Sequence, residues 1–517
     1  MNGAEVLVRT MLANGIDLCF TNPGTSEMHL VAALDGYPEL RAVLALFEGV
    51  ATGAADGYAR LSGRPAATLL HLGPGLANGL ANLHNAKKAG SPMVNIVGEH
   101  ALDHLRHDAP LTSDIAGIAR PVSHWFSRVE NPATLEAMTR EAVEVSRDGR
   151  IATLVMPADM AWSEAPQSAI APTWSRKPPI APSATALAGC MKALSEDPDG
   201  TLLLLGGSAL LGDGANWAGA IARLSGCRVA TQSLSARMTR GGDRPDFPRL
   251  PYDVDAALRF LAPVRRLILI GASLPVSFFA QPDKPGVLVS DDCSLFEPTR
   301  NGSDAGETLA ALGSALGVEP LRMAPTPAHP APEGPLTAET IGAAIAATLP
   351  EDAIVVDEAI TLGRPIFLAT TRAPNHDWLS NVGGAIGFGL PVAIGAAMAC
   401  PERRVLAMIG DGSAFYTEQA LWTMVREQLD ITVVIFANRQ YAILRNEWRR
   451  MGAGPNSTDL PPRAHSMLSL DNPSPDWVLI ARGHGMDAVR VETSESLAAQ
   501  LQSSHCSAGP RLIEVLL

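Results

Sequence analysis

Three sets of residues in this 517-residue chain combine a type and a spacing that chemistry can use. The apolar run Val405-Leu406-Ala407-Met408-Ile409 leads straight into Gly410-Asp411-Gly412-Ser413-Ala414. A strand that ends in Gly-Asp-Gly, with a helix starting near Ser413, sets Asp411 beside free backbone N–H groups, where a phosphate is favoured. A second apolar run, residues 431–436, ends close to Asn438. A carboxylate and an amide oxygen on adjacent strand ends can reach one hard cation, and magnesium takes oxygen ligands of this kind, often with a phosphate. Asp-Gly alone is also a common tight turn, so strand, helix and second polar strand end have to be taken together. Glu48 lies between Phe47 and Gly49, where a buried strand gives way to a helix. A carboxyl group in apolar surroundings can share a proton with a ring nitrogen, although a first-turn acid can also simply complement the helix dipole. His100, His104 and His107 would share one face of a helix, as metal ligands do, or lie along a solvated loop.

The elements that must position these groups are of one kind. Residues 43–47 and 66–70 read as strands, with a Gly/Ala-rich helix over 49–61 between them. Further strands are expected at 201–205, 266–270 and 286–290, then at 353–356, 405–409 and 431–436. Continuous apolar strands separated by helices imply parallel sheets covered on both faces. Two proline-rich stretches interrupt them, residues 165–183 and 319–335. Proline fixes φ and lacks a donor, so neither stretch continues a helix or a central strand. The expectation is an α/β chain of three domains, each a mainly parallel sheet flanked by helices: N-terminal 1–165, middle 183–320 and C-terminal 336–517.

Composition narrows the function classes. With 47% hydrophobic residues the chain has material for large cores, which excludes disorder as its main state. No run of roughly 18 apolar residues is present, so no membrane span is expected. A net charge of −13 argues against nucleic acid as the main partner. Charged residues are only 18%, below the ~25% usual for soluble domains, which points to surface covered in an oligomer. The first residues show no basic segment followed by an apolar one, and the six cysteines form no CxxC. Both features fit a cytoplasmic protein without a disulfide framework.

Gly410-Asp411-Gly412 followed by Asn438 resembles the cofactor signature of the thiamine-diphosphate (ThDP) enzymes. Gly383-Gly384-Ala385-Ile386-Gly387-Phe388-Gly389-Leu390-Pro391 is similar to the family segment that touches the aminopyrimidine ring. The N-terminal segments Asn22-Pro23-Gly24-Thr25-Ser26-Glu27, Glu48-Gly49-Val50-Ala51, Ala55-Asp56-Gly57-Tyr58-Ala59 and Gly73-Pro74-Gly75-Leu76-Ala77-Asn78 also match. The likeness covers the first and third segments in order and is strongest to the acetolactate synthase and benzoylformate decarboxylase branches. It implies aminopyrimidine-binding, middle and diphosphate-binding domains, in that order.

The resemblance also implies roles. Asp411, Asn438 and the carbonyl of Gln440 would hold Mg2+ on the diphosphate. Gly410 and Gly412 would be among the cofactor-binding residues, while Ser413 and Ala414 would offer N–H groups to phosphate oxygens. Gly384 would accept from the exocyclic amine, and Ile386 would prop the cofactor in its bent form. Glu48 would protonate the aminopyrimidine. His71 stands where benzoylformate decarboxylase has a catalytic histidine, and Thr25 replaces that enzyme's serine. Pyruvate decarboxylase relatives make His104 a loose candidate. Ile443 and Glu447 would shape the substrate pocket, Glu447 either facing an amine or guanidine there or pairing with Arg450 outside it. Ala280 stands where the decarboxylase has a second histidine. The loop 206–212 lacks GxGxxG, so FAD is not expected. The implied activity is cleavage of a 2-oxo acid, with CO2 lost through an enamine intermediate, then aldehyde release or acetolactate synthase-like ligation to a second carbonyl. A homodimer or homotetramer with the site shared between chains is also implied. A silent ThDP-binding protein would not need Glu48, and a plain nucleotide-binding protein would not need residues 384–391.

Overall fold

The computed structural model describes residues 1–166, 180–299, 303–324, 332–450 and 460–517. In the two proline-rich stretches, Pro172, Pro178 and Pro179, and Pro325, Pro327 and Pro330, lie outside the described residues. Apolar runs become strands as the sequence predicts. In chain order these begin with β1 (Leu18–Asn22), β2 (Arg41–Leu44), β3 (Ala66–Leu70), β4 (Met93–Glu99), β5 (Trp125–Arg128) and β6 (Ile151–Pro157). There follow β7 (Thr201–Leu205), β8 (Arg228–Thr231), β9 (Met238–Arg240), β10 (Arg266–Ile270) and β11 (Ser294–Phe296). The last are β12 (Ala353–Glu358), β13 (His376–Ser380), β14 (Val405–Gly410), β15 (Ile431–Ala437), β16 (Asp487–Val491) and β17 (Arg511–Leu516).

Packing divides the chain into two units. The first joins Met1–Ser175, Pro330–Leu368 and Asn381–Leu517, and the second holds Arg176–His329 with Ala369–Ser380. The N-terminal part of the first unit is a parallel sheet in the order β2-β1-β3-β4-β6-β5. Its C-terminal part runs β16-β17-β15-β14-β12, again parallel. Strands β3, β4, β6 and β15 are buried along their whole length, as parallel strands covered on both faces must be. In the second unit a parallel sheet runs β11-β10-β7-β8, and β9 pairs antiparallel with β13.

Three differences from expectation have local causes. Residues 286–290 are not a strand; only an isolated bridge joins Val276 to Val287, and β11 takes the edge of the sheet instead. Val287 is 43% exposed and only Leu288 reaches the core, so the run never gains the continuous burial a parallel strand needs. The strand expected over 43–47 stops at Leu44, and Phe47 becomes the extended N-cap of the helix Glu48–Ser62. The helix after Gly410 is a four-residue turn, Asp411–Ala414, so its contribution is local N–H donors and not a long dipole.

The halves of the first unit meet where the helix Glu48–Ser62 crosses the helix Gly389–Ala399. A Cβ at Gly57 would lie 2.1 Å from the carbonyl oxygen of Val392, and one at Gly395 only 1.9 Å from that of Ala54. These are backbone atoms, which cannot swing aside, so only glycine permits the approach.

Candidate active site

The carboxyl ends of β1, β2 and β3 deliver the N-terminal cluster. This is the crevice side of a parallel sheet, and β1 lies where the strand order turns from β2 to β3. Glu48 opens its helix with 6% of its surface exposed, and Asn78 Nδ2 donates to its Oε2 at 2.9 Å. His71 follows β3 directly. Leu72, the next residue, is a buried non-glycine held at φ +48°, a conformation that costs about 1–3 kcal/mol and survives where surroundings over-determine it. That elbow turns strand into helix and leaves the imidazole at the carboxyl end of the sheet. A Cβ at Gly75 would be 3.3 Å from both Glu48 Oε1 and His71 Cβ, so the two groups flank this glycine.

Thr25, expected as a catalytic hydroxyl, is exposed, and the ring of His71 is met by Ser26 and Glu27. Nδ1 lies 2.7 Å from Glu27 Oε2 and 3.2 Å from Ser26 Oγ. Glu27 is fully buried; its Oε2 also accepts the Gly24 N–H at 2.8 Å and its Oε1 the Ser26 hydroxyl at 2.7 Å.

Three asparagines on the helix Leu72–Ala89 carry this cluster across to residues 383–389. Asn78 holds Glu48, as described. Asn82 Nδ2 donates both to the Gly49 carbonyl at 2.8 Å and to the Gly387 carbonyl at 3.1 Å. Asn85 clamps Ala385, accepting its N–H at 3.1 Å and donating to its carbonyl at 2.8 Å. From the other side, Asn381 Oδ1 accepts the N–H groups of Gly383 at 3.1 Å and Gly384 at 2.8 Å. Gly384 and Gly387 sit at φ +81° and +87°, where a larger residue would be strained. Ile386 is partly buried between them. Glu358, at the end of β12, accepts from the N–H groups of Gly387, Phe388 and Gly389 at 2.9, 3.1 and 2.7 Å. Burial pushes the Glu358 carboxyl up to about 7, against the pull of those three donors.

The other polar centre lies at the carboxyl ends of β14 and β15. Asp411 is 2% exposed; Oδ1 accepts the Gly412 N–H at 2.9 Å and Oδ2 the Arg439 N–H at 2.6 Å. Burial raises its carboxyl above the usual range, and these backbone donors oppose the rise. Asn438 Oδ1 accepts the Gln440 N–H at 3.0 Å, and Arg439 between them is held at φ +54°. Asp411, Asn438 and the Gln440 backbone are thus neighbours, the Gln440 carbonyl accepting the Ala442 N–H at 3.0 Å, while Ser413 and Ala414 lie buried in the first turn after Gly410 and Gly412. A carboxylate, an amide oxygen and a main-chain carbonyl form an all-oxygen donor set suited to Mg2+. First-turn N–H groups without helical partners suit a phosphate.

The remaining expected residues lie apart from these contacts. Ile443 is 38% exposed on the helix Ala442–Arg450, and Glu447 pairs with Arg450 Nη1 at 2.9 Å on the same exposed helix. His104 lies between His100 and His107, with ring centroids 5.6 and 5.4 Å apart and ring planes tilted by 53° and 55°. The file is built on a turn and a short 3-10 segment, Leu105–His107, so the rings follow one another instead of converging. No group of three or more His, Cys, Asp or Glu placed to hold a metal occurs among the described residues. Ala280, on the second unit, is exposed.

Parallel sheets with an oxygen-donor centre at the end of one and a carboxylate–imidazole cluster at the end of the other define an α/β enzyme built around a diphosphate cofactor. Residues 1–118 match the thiamine pyrophosphate enzyme N-terminal TPP binding domain, and residues 366–515 match the C-terminal TPP binding domain of the same family. A Mycobacterium tuberculosis protein with the provisional name acetolactate synthase large subunit IlvX is 46% identical over 100% of this chain and 99% of its own. Benzoylformate decarboxylase of Pseudomonas aeruginosa is 29% identical, over 97% of this chain and 96% of that enzyme. Among solved structures, the ThDP-dependent 4-hydroxybenzoylformate decarboxylase of Rhodococcus jostii RHA1 superposes with a TM-score of 0.85 at 24% identity. That match covers 99% of this chain and 98% of the other. The chain belongs to the thiamine pyrophosphate enzymes, in the group that contains acetolactate synthase and benzoylformate decarboxylase.

Sequence reasoning gave no role to Ser26, Glu27, Asn82, Asn85, Glu358 or Asn381. One signal was available: Asn78, Asn82 and Asn85 recur at i, i+4 and i+7, which puts three amides on one helix face.

Proposed function

We propose that this enzyme uses ThDP and Mg2+ to remove CO2 from a 2-oxo acid and releases the aldehyde. The observation that carries the reading is Glu48, buried, fixed by Asn78, and tied through Gly49 and Asn82 to the segment 383–389. ThDP, when bound, supplies a nucleophilic thiazolium carbon and an electron sink. Asp411, Asn438 and the Gln440 carbonyl would hold the cation, and Ser413 and Ala414 would donate to phosphate oxygens. The Gly384 carbonyl would accept from the exocyclic amine, with Ile386 against the ring system. The Glu48 carboxyl would stand where a ring nitrogen can share a proton with it. His71, its Nδ1 engaged by Glu27, has Nε2 free to exchange a proton with substrate, and protonation is what yields an aldehyde.

Ligation to a second carbonyl, as in acetolactate synthase, is the second reading. It is favoured by Ala280, where the decarboxylase has a proton-handling histidine, and by the name of the 46%-identical relative. The protein is proposed to be cytoplasmic and to work as a homodimer or homotetramer. Mixing Glu48→Gln and Asp411→Ala variants would restore activity if each site draws on two chains.

The deciding experiment supplies ThDP and Mg2+ with a panel of 2-oxo acids, including pyruvate, benzoylformate and 5-guanidino-2-oxopentanoate. CO2 release is followed and products are identified by mass spectrometry. Aldehyde as the main product supports the first reading and an acyloin the second. No CO2 from any acid, and no ThDP binding, would sink both.

A further inference from the structure

The fold makes room for one side-chain pair at unusual cost to its freedom of sequence. A Cβ at Gly24 would fall 2.2 Å from His71 Nδ1, and a Cβ at Gly98 would fall 1.6 Å from Glu27 Oε1. Two glycines on different segments therefore leave the space that this imidazole and this carboxylate occupy. Glu27 is fully buried, whereas the His71 side chain is 21% exposed, so the pair has a closed end and an open one. At the closed end the Gly24 N–H and the Ser26 hydroxyl donate to the carboxylate, and His71 Nδ1 lies 2.7 Å from its Oε2. An unprotonated Nδ1 there would set a lone pair against a carboxylate oxygen 2.7 Å away.

We propose that Glu27 is a positioning residue that fixes the proton of His71 on Nδ1 and so makes Nε2 the atom that transfers a proton to and from substrate. The Nδ1 proton stays in the bond to Glu27. Nε2 gives up its own proton and is reloaded from solvent, so no net charge is left on the pair after a turnover. Ser26 holds the second carboxylate oxygen and keeps the carboxylate from rotating away. The inference rests on the proposed role of His71, but its structural part can be read without cofactor.

The test labels histidine nitrogens with 15N in the cofactor-free full-length protein. A far-downfield proton coupled to Nδ1 of His71, assigned by its disappearance in His71→Ala, is expected. It should be lost in Glu27→Gln. With ThDP, Mg2+ and the best 2-oxo acid, Glu27→Gln should lower kcat by about ten- to a hundredfold. KM and ThDP affinity should stay within about threefold, and Glu27→Asp should recover part of kcat. A His71 ring that carries its proton on Nε2 and none on Nδ1 in the unaltered protein overturns the proposal, as does a Glu27→Gln kcat within threefold of the parent. Should Glu27→Gln not fold, the spectrum of the unaltered chain decides. A chain that binds no ThDP would remove the proposed function, and the same spectrum would still confirm or reject the pairing.

Discussion

The two polar centres of the first unit are held in different ways. At the end proposed for the ring, side chains do the holding: Asn78 on Glu48, Glu27 on His71, and Asn82 and Asn85 on the main-chain carbonyls of Gly387 and Ala385. At the end proposed for the diphosphate, Asp411 and Asn438 are held, among the described residues, by main-chain N–H groups from Gly412, Arg439 and Gln440. A carboxylate with no side-chain partner keeps lone pairs for a cation, whereas one locked by an amide keeps a fixed direction for a proton. On the proposed reading, the groups for proton chemistry are preassembled, and charge neutralisation is left to what binds.

The comparison breaks most sharply at Glu48. Glu48→Gln should lower turnover by at least about two orders of magnitude while circular dichroism and ThDP affinity hold; near-normal turnover would show that the preassembled carboxylate is idle. Next in size is hydrogen exchange on adding ThDP and Mg2+. The Ser413 amide should slow by about tenfold or more, and those of Ala385, Gly387, Phe388 and Gly389 much less, because Asn85 and Glu358 already hold them. Equal protection at both ends would erase the distinction.

A smaller effect concerns pH. Glu358 is held near 7 in the folded protein against an ordinary 4.5. A raised carboxyl contributes stability that is fully present below about 4.5 and is lost as pH rises through about 7. In Glu358→Gln, the drop in unfolding temperature between about pH 5 and pH 8 should therefore be shallower than in the parent. A steeper drop would mean that the three N–H bonds outweigh burial. The smallest effect is expected at Glu447. Paired with Arg450 on an exposed helix, its change to Gln should alter neither substrate preference nor turnover by more than about twofold, since exposed pairs contribute at most ~1 kcal/mol.

How much of this was legible in the sequence follows from distance along the chain. Asp411 and Asn438 each stand at the end of an apolar run, and Glu48 at a strand–helix junction, so local pattern found them. The Glu447–Arg450 pair was open from i, i+3 spacing alone. Glu27 and His71 are 44 positions apart, Asn82 and Gly387 305. No local period encodes such partners. Residues 286–290 misled for the converse reason: an apolar run shows composition, but whether both faces are covered is decided by the rest of the fold.

The glycine crossing between the helices Glu48–Ser62 and Gly389–Ala399 bears on how the chain reaches its native state. Gly57 meets Val392, and Gly395 meets Ala54, across most of the polypeptide. Loop closure over that span is entropically costly, and non-local contacts of this kind slow folding. During synthesis the N-terminal sheet is finished long before its partner helix exists, and the whole second unit is made in the interval. The nascent N-terminal half therefore presents an unfilled, glycine-lined seam, the surface on which a chaperone would act and where premature release would lead to aggregation.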